Sequence, residues 1–194
     1  MILDNECVSP SDYPGKENDY PYRWWEDELW MDENLRLDLE GTSDPSGLTA
    51  AEKDFALAHK RAFCRIALCA TTARKETERR YPGDWPNGRN DKADAFRHTY
   101  WMALCAWLLE NNALVREYGE AHESETTEPV EKQMDLHNHD IGISTGRSLF
   151  YPTQQEIIEA VVNAMNNGQC WYLNPLVEQT HALKNDTHLT PTNH

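Results

Sequence analysis

The stretch DKADAFRHTYWMALCAW, residues 91–107, decides how this chain is read. It is apolar enough for a buried helix, yet it places Asp94 four residues before His98. On an α-helix, positions i and i+4 lie one above the other on the same face. The series Asp94, His98, Trp101, Cys105 and Leu108 keeps to that stripe, so a carboxylate and an imidazole share the face that carries an indole and a leucine. Polar groups on an inward face need partners. Here they have three options: each other, a metal, or a substrate.

Helical signals continue on both sides of this stretch. Thr49 followed by Glu52 is a capping box, and the helix it opens is expected to reach Arg80, with Phe55, Ala58, Ala62, Ile66, Cys69 and Ala73 inward. YPGDWPNGRN is a loop, and Asn90 is a candidate cap for a helix running to about Glu110. Further helices are predicted over residues 113–123, from Pro129 to Gly142 or soon after, and from a second capping box at Thr153 and Glu156 to Gly168. No stretch alternates as a strand would. The predicted class is all-α: a compact bundle of five to seven helices with an extended acidic N-terminal arm. The expected divisions are a Trp-rich arm over residues 1–45, a helical domain with the polar site over 46–180, and a frayed tail over 181–194.

With 194 residues, one well-cored domain with an arm is the natural size. The net charge of -15 argues against a surface that grips nucleic acid through its phosphates, so nucleic acid is expected only as a substrate held by a metal. Charge is uneven along the chain. Residues 1–45 hold 13 Asp or Glu against three Lys or Arg, and residues 49–80 hold eight basic against four acidic, as expected for an acidic arm over a basic helix or for two solvated faces. Trp24, Trp25 and Trp30 amid EDE resemble an acidic-aromatic protein-binding segment or anchors onto the core. The five cysteines include no CxxC pair, which argues against a zinc ribbon. No apolar run approaches a membrane span, and the N-terminus lacks the form of a signal peptide.

The chemistry-bearing residues cluster. His98 stands with Asp94, His122 with Glu123, and His137 and His139 fall within DLHNHD. Helix-built metal sites gather His nitrogens and carboxylate oxygens from facing helices, a set suited to Zn, Mn or Ni. Asp135 and His139 share a helix face and His137 lies nearly opposite, so all three serve one site only if the helix breaks at Asn138 or Gly142. Cys105 is two turns, roughly 10 Å, from His98, too far for a thiolate–imidazole pair. No P-loop, nucleophile elbow or dinucleotide fingerprint is present.

The motifs DAFRHTYW, YGEAHE and MDLHNHDIG, in that order, resemble an uncharacterised bacterial helical domain family with the pattern DAFRHAYW, AHE and MDLHNN followed by glycine. The likeness spans about residues 87–170. It implies polar positions at Asp94, Arg97, His98, His122, Glu123, Asp135, His137 and Asn138, and departs at His139, where the family has Asn. It further implies a bacterial protein, secreted or toxin-like, cytoplasmic as made and exported without a signal peptide by a dedicated system. All-helical hydrolases of the HD type offer a partial analogy through His98 and His139-Asp140, but their later aspartate would fall on Asp186 in the tail.

The expected activity is a metal-dependent hydrolase, an effector acting on a phosphodiester or cell-envelope substrate. His98, His122, Asp135, His137 and His139 are the candidate metal ligands; Asp94, Arg97 and Glu123 are the candidate catalytic groups. The alternative is a non-catalytic effector or adaptor whose acidic arm binds a protein such as an immunity or secretion component, with the polar cluster serving as a buried network.

Overall fold

The computed structural model describes residues 48–83 and 88–194. The acidic arm expected over residues 1–45, with its three tryptophans, lies outside the described residues. Among those residues the fold is all-α, with six α-helices and one short antiparallel hairpin. The helices are α1 (Ala50–Ala58), α2 (Lys60–Arg80), α3 (Lys92–Leu109), α4 (Asn112–His122), α5 (Pro129–Ser148) and α6 (Gln154–Asn166). A 3-10 turn, Glu123–Glu125, follows α4. The hairpin pairs β1 (Trp171–Leu176) with β2 (Leu183–Pro191). No described helix is long and apolar enough to cross a membrane.

The stretch that opened the sequence reading becomes α3, the central element, packed against α2, α4, α5, α6 and β1. Burial on nearly every side explains its weak amphipathy: Phe96, Tyr100, Met102, Leu104 and Cys105 are all essentially inaccessible. Trp101 is anchored at its polar edge, where Nε1–H donates to the Ile66 carbonyl at 3.0 Å. Both capping boxes form as predicted, at Thr49/Glu52 and at Thr153/Glu156. The long first helix divides in two at His59, whose backbone (φ -132°, ψ 51°) is not helical. Asp91, not Asn90, caps α3 by accepting from the Asp94 amide.

Helix α5 does not end at Gly142; it continues to Ser148. Gly142 and Gly146 stand where α3 crosses α5, and a β-carbon at either would collide with the Thr99 or Ala103 carbonyl. These glycines are contact points rather than helix breakers. The predicted frayed tail is also corrected: β2 runs through it, with Trp171 opposite Pro191 and Leu173 opposite Leu189. Thr192 closes the end, its hydroxyl donating to the Met165 carbonyl at 2.6 Å and its amide to the Cys170 carbonyl at 2.9 Å. These bonds carry the folded body past residue 180 to the C-terminus.

Candidate functional site

A cavity of about 300 Å³ opens where α3, the end of α4, the 3-10 turn and α5 meet the loop at residues 88–90. Six of the eight residues singled out from sequence line it: Asp94, Arg97, His98, His122, Glu123 and Asp135. Helical spacing supplies the first three from α3 and Asp135 from one turn of α5. Gly88, Arg89, Asn90, Thr126 and Glu131 complete the wall.

His98 is the centre. Its Nε2 lies 3.4 Å from Asp94 Oδ1 and 3.7 Å from Asp135 Oδ1. One donor atom from each of these three buried residues falls within a 4.8 Å sphere of separation, as does one from each of His98, His122 and Glu123. Asp94 is gripped by Arg97 and also accepts from the Asn90 amide at 2.5 Å. Asp135 is different: its buried Oδ1 has no hydrogen-bond partner. Glu123 accepts from the Thr126 hydroxyl through Oε2, while Oε1 lies 3.8 Å from His122 Nε2.

The electrostatics separate these groups. Burial opposes ionisation of Asp94, but Arg97, His98 and the Asn90 amide outweigh it and hold the carboxyl well below the usual range. Burial drives Asp135 the other way, to about 7, helped by the negative charges of Asp94 and Glu123 and opposed by His98. For His98, burial lowers the pKa, yet Asp135 and Asp94 together raise it above the ordinary imidazole value. Two neighbouring carboxyls with opposite shifts are a recurrent feature of functional sites.

The two remaining predicted ligands are placed elsewhere. His139 sits behind His98, with its Nε2 2.9 Å from His98 Nδ1 and its own Nδ1 buried without a partner. Burial, then repulsion from the nearby His98, push His139 well below the ordinary range, so it stands neutral. It can accept from His98 Nδ1–H and so leave the His98 Nε2 lone pair to face Arg97 Nη2, 3.3 Å away at the cavity wall, a supporting place rather than a ligand's. His137 leaves the site altogether. Because α5 is unbroken, His137 faces the hairpin, stacked on Trp171 at 3.5 Å between ring centres, with Nε2 2.7 Å from the Gln169 carbonyl. Its neighbour Asn138 reads the Trp171 backbone at both ends: its amide donates to the carbonyl at 2.8 Å and its oxygen accepts from the N–H at 2.9 Å.

Glu131, Arg89, Asn90 and Glu52 carry no site signal in the sequence. Glu131 accepts from Asn90 Nδ2 at 2.5 Å and from Arg89 at 2.9 Å, which ties the loop rim to α5. Asn90, with φ of 67°, spends its side chain on that bond rather than on capping. Glu52, 3% exposed on α1, accepts from His122 Nδ1 at 2.8 Å. Burial would raise its pKa, but bonds from His122, the Thr49 amide and Tyr118 outweigh that and hold it at about 2. Its capping-box spacing was visible in the sequence; its reach to α4 was not.

No curated protein and no solved structure shows significant similarity to the chain. A family profile matches residues 53–169, a span that holds every cavity-lining residue and leaves out Glu52 and β2. The chain belongs to that family, a domain of unknown function (DUF6973).

Proposed function

We propose that the cavity is the active site of a divalent-metal-dependent hydrolase, with Asp94, His98 and Asp135 as the primary ligand set and His122 and Glu123 beside it. The observation that carries this reading is the buried, unpartnered Oδ1 of Asp135, set 3.7 Å from His98 Nε2. A purely structural network satisfies its buried polar atoms, because each orphan costs about 1–3 kcal/mol. Here the orphan is a carboxylate oxygen in a cavity walled by carboxylates and imidazoles, a donor set that fits a cation such as Zn, Mn or Ni.

When bound, such an ion lowers the pKa of water toward neutrality and acts as a Lewis acid. The chain's own residues supply the rest. Glu123 lines the cavity with Oε2 held by the Thr126 hydroxyl and Oε1 3.8 Å from His122 Nε2, which suits Oε1 to take a proton from an attacking water. Arg97 pins Asp94 and also reaches the Gly88 carbonyl at 3.4 Å; its guanidinium, 29% exposed at the rim, suits an anionic substrate. Phosphodiester and cell-envelope substrates both meet that requirement. Service as a secreted bacterial effector extends this reading through the motif resemblance.

The test is elemental analysis of protein purified without chelator or nickel resin, for wild type and for His98→Ala, Asp135→Asn and His137→Ala. The expected result is about one transition metal per chain, lost in the first two variants and kept in His137→Ala, with helicity unchanged throughout. Absence of metal after reconstitution with Zn, Mn and Ni removes the metallohydrolase reading. Retention of metal would be followed by a screen of phosphodiester and peptidoglycan substrates.

A further inference from the structure

His122 is the cavity residue whose direction is set from farthest away. The Glu52 carboxylate meets three donors: Oε1 accepts from the Tyr118 hydroxyl at 2.7 Å and from His122 Nδ1 at 2.8 Å, and Oε2 accepts from the Thr49 amide at 2.8 Å. An ionised carboxylate has no proton to give, so Nδ1 of His122 is the donor. A neutral imidazole with its proton on Nδ1 keeps its lone pair on Nε2. Nε2 is the ring atom that faces Glu123 Oε1, 3.8 Å away. Trp101 meets the same ring edge-on, at 5.0 Å and 89°, which limits its rotation.

We infer that Glu52 is a positioning residue: it fixes His122 as the Nδ1–H tautomer and aims the Nε2 lone pair at whatever the cavity binds. The inference deepens the metal-site reading and rests on it for the identity of the ligand, though not for the position of the ring proton. It also gives the Thr49–Glu52 capping box a second role, since one carboxylate both starts α1 and orients a residue at the end of α4.

Glu52→Gln isolates the effect. A capping box accepts Gln at this position, so α1 keeps its start. The amide oxygen must face the Thr49 N–H, because the opposite flip sets two donors against each other. The amide NH₂ then faces His122 Nδ1, which must accept, and the ring proton moves to Nε2 and into the cavity. Tyr118→Phe is the control, because it removes a donor from the same oxygen and leaves the His122 bond in place.

The experiment reads the His122 ring nitrogens by NMR in metal-free protein in mildly alkaline buffer, then titrates Co²⁺ and Zn²⁺ as probes. Expected are an Nδ1–H ring in wild type and Tyr118→Phe, an Nε2–H ring in Glu52→Gln, and a loss of probe affinity of about 10–100-fold in Glu52→Gln alone. A wild-type proton on Nε2, or an unchanged tautomer in Glu52→Gln, overturns the inference. A switched tautomer with unchanged affinity overturns the claim that the lone pair serves the ion. If wild type binds neither probe, the hydrolase reading falls, and the ring-proton position still decides the role of Glu52.

Discussion

Within five residues of α5, side chains serve two opposite regions of the molecule. Asp135 and His139 face the cavity side, where one buried oxygen has no partner and one imidazole is held neutral behind another. His137 and Asn138 face the hairpin, where a ring stacks flat on Trp171 and a carboxamide closes both backbone bonds of the same residue. On the hairpin face these groups are paired; on the cavity side acidic groups crowd together and one buried oxygen is left over. Both use residue types that bind metals, so residue type alone does not mark a site. What marks it is polar capacity left unused after the fold has taken its share.

The largest effect is expected from separating the helices on which both faces depend. Gly142→Leu places a branched side chain against the Thr99 carbonyl and the Met102 β-carbon, and is expected to cost about 3 kcal/mol or more by chemical denaturation. Both faces should then fail together, with metal binding and hairpin protection from hydrogen exchange lost in parallel.

Acid should distinguish the faces. Glu52 is held at about 2 against an ordinary 4.5, so its depressed pKa contributes stability that is fully present above pH 4.5 and disappears as pH falls toward 2. The difference in unfolding free energy between wild type and Glu52→Gln should shrink across that window by at most about 3 kcal/mol. Asn138 variants, carrying no titrating group, should show a flat difference over the same range.

Asp135→Asn is expected to lower metal affinity by about 100-fold or more, with thermal stability unchanged or slightly raised. The buried carboxyl has no hydrogen bond to lose, and its lost attraction to His98 is offset by relief of its burial cost and of repulsion from Asp94 and Glu123. A fall in stability with metal binding intact would make the cavity a structural network after all.

Asn138→Ala is the mirror experiment. It leaves the Trp171 N–H and carbonyl without their partner and should cost about 2 kcal/mol, while metal affinity stays at the wild-type value. His137→Ala is the mildest. Losing the stack and the Gln169 bond should cost about 1 kcal/mol, read as a small drop in melting temperature, again with metal retained.

How much of this was legible in the chain depends on how local each signal is. The Asp94–His98 pair could be read because two carboxyl and imidazole groups four residues apart on an apolar stripe meet by helical geometry alone. The capping boxes at Thr49 and Thr153 were equally local. The opposed placement of His137 and Asp135 was visible too, but Gly142 was weighed as a breaker, when its missing side chain serves contact with α3. The hairpin left no apolar alternation, because β2 buries only the polar Thr190 and the hairpin's place is set by distant groups: Asn138 on β1, Met165 on Thr192, and the Asn90 carbonyl, which accepts from the Leu173 amide at 2.7 Å.

The all-α class, the central buried helix and the residues rich in metal-donor chemistry can be read along the chain, since each rests on spacing along a single helix or turn. Which of those residues share a cavity, that His139 backs His98, that His137 belongs to the hairpin, and that Glu52 reaches His122 all emerge from the packing of the helices. Those facts depend on how helices cross and on which face survives uncovered. Such distances are set by packing between elements far apart in the chain, and no local period records them.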